Sequence, residues 1–499
     1  MIAPLKNHIK GLIAFFFMAM ATLTQGQQPV NRFLLNDVIT LARENSPQAI
    51  LAKHQFRAAY WEHRSFEAEY LPSLSFSGVL PNYSRSLMEV YSTTDSTYRY
   101  VEVNSNKLSV GLTLNQNIGP TGGRIFAQTS LERVDDFGFR KGTNYMTAPI
   151  RLGFEQPIFG YNRLKWLKRV EPLKYLEAKR IYIESMESIS ADAVRLFFDL
   201  ILAQQNLKTA KLNYANTDTL FQIAKGRYNI GTIAENELLQ MELSYLNAGS
   251  SVNEAEVDLQ LKKFRLKSFL GLNDQFDLEL VVPIDFPRIE LKYPEVLQLS
   301  KSNNPQIVNF ERRLAEADMN VAQANANRGF KMNLSASYGL TQQAEEFQYA
   351  YSNPMDQQGL QVGVTVPILD WGLGRGRVKM AQSNREVVRT NIQQSMIDFE
   401  QDIYLKVMQF NMQDDQLLLA AKADTIAQSR YHVTKERFLI GKIDVLDLNI
   451  AQSERDAARD RYIAAMRNFW VYYYNMRKLT LYDLTGAKAL NVDFEMLIK

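Results

Sequence analysis

Val38-Ile39-Thr40-Leu41-Ala42-Arg43-Glu44-Asn45-Ser46-Pro47-Gln48 and Val296-Leu297-Gln298-Leu299-Ser300-Lys301-Ser302-Asn303-Asn304-Pro305-Gln306 are two versions of one phrase. Val, Leu, Asn, Pro and Gln recur at matching places, 258 residues apart (296 − 38 = 258). Farther on, Arg227-Tyr228-Asn229-Ile230-Gly231 returns as Arg437-Phe438-Leu439-Ile440-Gly441 at an offset of 210 (441 − 231 = 210). A chain that repeats itself in order has to be read as two copies of one unit before single motifs are weighed. Each copy runs short helix, alternating strands, very long helix, tight turn, long helix back. That order predicts an α+β tube, internally duplicated, part β-barrel and part α-helical coiled coil.

The strands announce themselves by a period of two. Leu108, Val110, Leu112 and Leu114 alternate with Ser109, Gly111, Thr113 and Asn115, and Ile150, Leu152 and Phe154 with Arg151, Gly153 and Glu155. In the second copy Met332, Leu334, Ala336, Tyr338 and Leu340 alternate with polar residues or glycine, as do Leu360, Val362, Val364 and Val366. Residues 73–80 and 124–134 read as weaker strands. Strict alternation places one face in an apolar medium and the other against something polar. The polar partners are Ser, Thr, Asn, Gln and Gly, which suit a wet lumen better than a protein core. Residues 84–99 and 341–358 are polar and are expected to be long external loops, as in outer-membrane barrels. A soluble sandwich is the alternative.

Each strand set ends in a related phrase, Gln156-Pro157-Ile158-Phe159-Gly160 and Val366-Pro367-Ile368-Leu369-Asp370-Trp371-Gly372. Proline stops a ladder and glycine permits a sharp change of direction. Pro157, Pro367 and Gly372 are therefore expected to form a strand-to-helix swivel. Tyr161, Trp166 and Trp371 suit either an aromatic girdle at a membrane interface or ordinary packing.

Long helices follow. Met186, Ala193, Leu200, Leu207, Tyr214, Phe221 and Tyr228 lie seven apart, and Met396, Ile403, Phe410, Leu417, Asp424, Tyr431 and Phe438 repeat the series 210 residues on. A sustained seven-residue repeat makes a coiled-coil seam. A helix from Tyr161 to Asn229, or from Arg375 to Ile440, would run about 100 Å. Gly231 and Gly441 are expected to end these helices in the left-handed conformation. The chain then returns through helices near residues 234–270 and 444–484.

Composition bounds the rest. With 57 basic and 54 acidic residues the formal charge is +3, which gives no footing for nucleic-acid binding. There is no cysteine, so disulfides, thiolate metal sites and a lipidated cysteine are excluded. The four histidines are scattered, and no phosphate loop, metal spacing or nucleophile-base pair stands out. Gly372-Leu373-Gly374-Arg375-Gly376 is glycine-rich, but its position after a strand-ending proline fits the swivel better than a nucleotide cradle. No cofactor is expected, and no enzymatic activity. Residues 1–26 read as a signal peptide, with Lys6 and Lys10 before an apolar run and a small-residue site at Thr24-Gln25-Gly26. The expected organisation is a signal peptide at 1–26, a first repeat at 27–280, a linker at 281–292, a second repeat at 293–486 and a tail at 487–499. Linker and tail together are expected to form a belt around the helices.

The repeated Asn-x-Pro segments, the Pro-Ile-Phe and Pro-Ile-Leu strand exits and the two Arg-x-x-x-Gly turns carry a resemblance. So does Gly441-Lys442-Ile443-Asp444-Val445-Leu446-Asp447, followed by the helix through Arg467-Asn468-Phe469. In this order the chain resembles the TolC family of outer-membrane efflux proteins over nearly its whole length after residue 26. The resemblance implies a homotrimer in the outer membrane, sharing one barrel and extending into the periplasm as a tapering tunnel. It implies a periplasmic tip where Arg227, Gly231, Arg437 and Gly441 meet a periplasmic adaptor and, through it, an inner-membrane pump. It further implies that Asp444 and Asp447 ring a closed aperture and gate cations. Read from the residues alone, Asp444 is an N-cap and Asp447 a first-turn acid. The first copy has Ala234 in place of Asp444, which favours the aperture.

The family plan has two strands per copy. Residues 71–160 leave room for four, with Gly119-Pro120-Thr121-Gly122-Gly123 as a turn back into the barrel. Six strands per protomer would make a trimeric barrel of about 18 rather than 12. The function expected is that of a passive exit duct of a tripartite efflux or type I secretion system. The alternative is a porin without a pump partner, which needs no helices about 100 Å long. A periplasmic adaptor is a weaker rival, because it would carry one coiled-coil hairpin and no lipid-facing strands.

Overall fold

The computed structural model describes residues 31–92, 96–138, 141–273, 278–283 and 286–498. The expected signal peptide lies outside them, as do Ile284 and Asp285 of the expected linker. The first repeat comprises β1 (Asn31–Phe33), α1 (Leu35–Asn45), α2 (Pro47–Ala68), β2 (Ser73–Ser92), β3 (Thr97–Ile118), β4 (Gly123–Asp136), β5 (Gly142–Ile158), α3 (Arg163–Asn229) and α4 (Glu235–Leu270). After β6 (Leu278–Leu280), the second comprises α5 (Tyr293–Asn303), α6 (Pro305–Arg328), β7 (Lys331–Ala344), β8 (Met355–Thr365), α7 (Leu373–Leu439) and α8 (Val445–Thr480). β9 (Tyr482–Asp483), β10 (Lys488–Ala489) and α9 (Phe494–Ile498) follow.

The duplication is carried to the residue. α3 and α7 each have 67 residues and start 210 apart (373 − 163 = 210), and α4 and α8 each have 36 at the same offset. α1 and α5, and likewise α2 and α6, start 258 apart (305 − 47 = 258). The first repeat therefore holds 48 more residues (258 − 210 = 48) between its short and long helices. There it has four strands where the second has two.

Two compact units result. One contains residues 54–181, 301–401 and 493–499, and with them the large sheet, whose order is β2-β3-β4-β5-β7-β8 with every neighbour antiparallel. Both added strands lie inside this sheet, as the six-strand expectation required. Side-chain rows cross it in register. Leu74, Leu114, Ala127, Leu152 and Tyr338 share one row and face, while Ser73, Asn115, Phe126, Gly153, Ser337 and Gly359 share the next row on the other. The apolar face is open to its surroundings, with Phe76 70%, Leu152 49% and Leu360 75% exposed.

The external connections differ from expectation. Residues 84–99 are for the most part a two-stranded ribbon, because β2 runs to Ser92 and β3 starts at Thr97, with Arg85 paired to Glu102 at 2.8 Å. Polar residues of alternating side can extend a ladder into water as well as form a loop. The connection after β7 is also shorter, and a 3-10 turn at Phe347–Tyr349 is held by Gln342 donating to the Tyr349 carbonyl. Below the sheet, Arg312 of α6 clamps Glu177 of α3 at 2.6 Å and Glu316 at 2.9 Å. Phe494 of α9 packs on Phe56 of α2, and Arg57 donates to the Leu497 carbonyl. Of the expected belt, the tail thus lies against α2.

Among the described residues, the other unit contains those from 31 to 53, from 182 to 300 and from 402 to 492. Its core is helical: Ala193, Phe197, Phe198 and Leu200 of α3, Leu266 and Leu270 of α4, Ile403 and Phe410 of α7, Phe469 and Met476 of α8 are buried. The expected seam on α7 is largely internal, since Ile403, Phe410, Asp424, Tyr431 and Phe438 are buried. On α3 it is not sustained. Met186, Ala193 and Leu200 are buried, but Tyr214 and Tyr228 are 37% and 39% exposed, and burial passes to Asn213, Thr217, Leu220 and Ala224. A straight helix turns about 20° away from a strict seven-residue line per heptad, and on α3 nothing corrects the drift.

Candidate functional site

Both hairpins end in the same turn. Gly231 and Gly441 have φ of 74° and 73°. Each donates to the carbonyl three residues back, Tyr228 or Phe438, and the next residue donates to the carbonyl of Arg227 or Arg437. These bonds satisfy helix-end carbonyls in the way that makes a left-handed residue, and hence glycine, the favoured one. A side chain at either glycine would meet nothing within 4 Å, so conformation and not crowding selects the residue. Beside them Ile230 and Ile440 are 74% and 66% exposed.

Above the turns the four helices close over one apolar cluster of Leu220, Ala224, Met241, Tyr431, Phe438, Val445 and Leu448. The two arginines part company here. Arg227 donates to the Leu439 carbonyl at 2.8 Å and lies over the Phe438 ring, 5.8 Å from its centre. Arg437, at the equivalent place, is exposed. Equivalent arginines have thus acquired a joining role in one repeat and a solvent-facing one in the other.

Asp444 caps α8, its carboxylate accepting from the Asp447 N–H at 2.9 Å, whereas Ala234 opens α4 with no side-chain cap. Both acids are exposed. Capping engages Oδ1 only, so it leaves the charge in place. Higher in the same unit, Asn213 of α3 donates to Asp456 of α8 at 3.0 Å and accepts from Arg455 at 2.7 Å. Asp460, one turn beyond Asp456, has its pKa raised by burial and then by the Asp456 charge.

The comparisons fit this geometry. Residues 296–480 match the family model described as outer membrane efflux protein. The chain is 20% identical over 339 residues to the pyoverdine export outer membrane protein OpmQ of Pseudomonas aeruginosa, covering 65% of this chain and 69% of that one. Within the second repeat, then, the chain is similar to the outer membrane efflux proteins. Solved structures share its fold. The Campylobacter jejuni CmeC outer membrane channel gives a TM-score of 0.66 at 17% identity, over 93% of this chain and 88% of that one. VceC of Vibrio cholerae gives 0.63 at 14%, over 92% and 97%.

CmeC is an outer membrane channel and VceC an outer membrane protein. At the first strand exit, Pro157 does not end the ladder. β5 continues to pair with β7 through Ile158, while its pairing with β4 stops at Glu155. Pairing on the β4 side has already ceased there, and a residue without an N–H is tolerated where a strand has a free side. At the second exit β8 ends at Thr365, before Pro367. Trp371 and Gly372 then take φ of 54° and 88°, and the Asp370 carboxylate accepts from the N–H groups of Gly372 (2.9 Å) and Gly374 (2.8 Å). The Gly374 bond first and the Gly372 bond second hold the Asp370 pKa below the ordinary carboxylate value.

Two features escaped the sequence reading. One is the stitching of the β3–β4 turn. Gln116 donates to the Tyr70 carbonyl, Asn117 to that of Glu69, and Asn162 to those of Gly119 and Pro120 while capping α3 at Lys165. Scattered amides give no periodic signal. The other is a second seven-residue series on α7, which was legible but offset by two from the one noticed.

Proposed function

We propose that the protein is the exit duct of a tripartite efflux or type I secretion system. In this reading a homotrimer carries substrates passively from an inner-membrane pump and a periplasmic adaptor protein to the exterior. The observation that carries it is the second stripe on α7. Leu405, Met412, Leu419, Ile426, Val433 and Ile440 lie seven apart and are 52% to 67% exposed. Two residues before four of them stand the buried Ile403, Phe410, Tyr431 and Phe438. Two positions differ by about 200° around a helix, so α7 is apolar on opposite faces and needs two neighbours. One is supplied by its own chain. Leu239, Leu243, Leu246, Val257 and Phe264 of α4 are likewise exposed at spacings compatible with a seam. Head-to-tail packing of α7 on the next copy's α4 would close a ring. The copy number of three follows the family resemblance.

In that ring the apolar sheet face meets outer-membrane lipid and the polar face lines the lumen. Asp444 and Asp447 would gather near the axis and favour cations at the aperture. Arg437, Gly231 and Gly441, with the exposed Ile230 and Ile440, offer the adaptor a surface, and Arg227 shapes it from within. Pro157, Pro367 and Gly372 act as the swivel between sheet and helix. Selectivity for cargo rests with the pump.

A photoreactive residue in place of Lys442 tests the reading in cells. Recovery of an adaptor with a proton-driven pump assigns the duct to efflux, and recovery with an ATP-driven transporter assigns it to secretion. Recovery of neither favours the porin.

A further inference from the structure

We propose that the groove between α6 and α7, at the foot of the large sheet, is a binding site for amphipathic organic anions on the inner face of the duct. This deepens the duct reading above by naming a class of cargo. The placement inside the duct rests on that reading, and the binding itself does not.

The groove has a volume of about 560 Å3, within the range of pockets that hold small molecules. Asn320, Asn327 and Arg328 line it from α6, and Arg377 and Asn384 line it from α7. Ala324, Leu373 and Met380 supply apolar wall. A few convergent polar groups set in apolar surface are the usual make-up of a small-molecule site.

Its charge is positive. Among the described lining residues Asp370 is the one acid, and its carboxylate is engaged by the N–H groups of Gly372 and Gly374. Arg385 is held by Glu386 at 2.8 Å and stands 3.9 Å from Asp318. Arg377 is exposed and has no hydrogen-bond or ion-pair partner among the described residues. Lys331 adds a cation beside the rim, where it donates to the Asn327 Oδ1 at 3.1 Å. With that oxygen occupied, Asn327 has its amide N–H groups left to offer. A guanidinium fork beside amide donors matches a carboxylate, sulfonate or phosphate group.

The duplication supplies its own comparison. At the offset of 258 Asn320 corresponds to Glu62 and Arg328 to Tyr70, and at the offset of 210 Arg377 corresponds to Leu167 and Asn384 to Lys174. In the first repeat Lys174 lies 3.3 Å from Glu62, an ion pair that ties α3 to α2. Tyr70 there donates to the Leu164 carbonyl at 2.7 Å. In the second repeat the same four places hold two neutral amides and two cations, and among the described residues no hydrogen bond or ion pair joins them across the helices. A self-satisfied joint has become a set of open donors that one anion can accept from.

The groove opens on the side of the polar sheet face. Lys331 pairs with Thr365 and alternates with Met332 and Leu334 of the apolar face, so its side chain leaves from the polar one. From there it reaches Asn327 at the rim of the groove. In the duct the polar face lines the lumen, and one groove from each copy would stand in a ring where sheet gives way to helix. Cations ringed about a passage raise the local concentration of anions.

The probe is 1-naphthoate, with a ring for the Leu373 and Met380 wall and a carboxylate for Arg377. Equilibrium dialysis against the purified full chain in a non-ionic detergent should show saturable binding. That binding should weaken about tenfold or more in Arg377→Gln and in Arg328→Gln. Asn320→Glu with Asn384→Lys copies the ion pair of the first repeat across the groove and should abolish it. Lys379→Gln should leave it unchanged, since Lys379 is exposed and lies about 200° around α7 from Arg377. Circular dichroism verifies the fold of each variant. No saturable binding by the parent, or equal binding by every variant, would overturn the site. The neutral 1-naphthalenemethanol should not distinguish the parent from Arg377→Gln, and an equal loss of both probes would overturn the preference for anions. In planar bilayers 1-naphthoate should block the parent channel more strongly than Arg377→Gln. Equal block of the two would overturn the placement inside the duct and leave the binding site. Failure of the Lys442 cross-linking to recover a pump would count against the pump-linked duct and leave the groove standing.

Discussion

Arg227 Nη2 donates to the main-chain carbonyl of Leu439 at 2.8 Å, and this bond joins the end of one long helix to the end of its repeat. It uses a carbonyl left without an intrahelical partner at the end of α7, where a cation is favoured. Arg227→Ala removes that bond and the ring contact with Phe438, a loss of about 1–2 kcal/mol locally. Amide exchange at residues 228–232 and 439–443 should quicken about tenfold or more, while Arg437→Ala leaves both segments unchanged within twofold. Equal effects of the two would remove the distinction drawn between the repeats.

Asp444 offers a clean separation of capping from charge. Asn caps as well as Asp, whereas Ala does not, so Asp444→Ala should cost about 1 kcal/mol and Asp444→Asn much less. If the acids ring an aperture, Asp444→Asn with Asp447→Asn should weaken divalent-cation block in single-channel recordings while trimer yield stays normal. Block that persists unchanged would reduce Asp444 to its cap.

The exposed stripe on α7 should be needed for assembly and not for the fold of one chain. Leu419→Glu with Ile426→Glu, at positions 67% and 60% exposed, is expected to lower the mass in detergent to that of one copy with helicity intact. Placing the same change at buried Tyr431 and Phe438 should instead unfold the tip, which circular dichroism and protease sensitivity would register.

Glu187 is 2% exposed and accepts from Arg43 at 2.6 Å and from Arg477 at 2.9 Å. Burial is the largest single influence on Arg477 and lowers its pKa, but the Glu187 charge, the hydrogen bond to Glu187 and the Tyr473 contacts together outweigh it and leave the net shift upward. Breaking such a pair from the acid side strands buried positive charge, so Glu187→Gln should destabilise by about 3–5 kcal/mol. Arg43→Ala, at a residue about a third exposed, should cost less. Thermal unfolding of the two variants would rank them.

Asp460 carries a pH signature. Burial and the neighbouring Asp456 raise its pKa in the folded protein above the ordinary 3.8, so between those values the folded state binds more protons than the unfolded one. Its contribution to stability is therefore present at low pH and is lost as pH rises from about 3.8 through the raised value. Asp460→Asn should melt higher than the parent at pH 7, and the difference should close toward pH 4. A gap independent of pH would assign the effect to packing.

Much of this was legible because its signals are local. The left-handed glycines at 231 and 441, the four long helices and the strands at 108–114, 150–155, 331–340 and 360–365 depend on residues within one turn or one pleat of each other. The ribbon at 84–99 was misread because polar residues without a bilayer to satisfy give the same alternation to a loop and to a strand in water. The fate of the two arginines was not legible at all, since Arg227 and Arg437 stand in like sequences and differ only in what the other repeat places beside them.

By itself the sequence determined the duplication, the order of elements and the two-faced strands, because hydrophobic periodicity and turn chemistry act along the chain. Tertiary structure alone decided the register that seats the expected extra hairpin between β2 and β5. It also decided which stripe of α7 is covered and which stays exposed. The covering of α7 depends on residues far apart in the chain, such as Leu220 and Tyr431 in one cluster, and helical periodicity shows that a face is apolar without naming its neighbour.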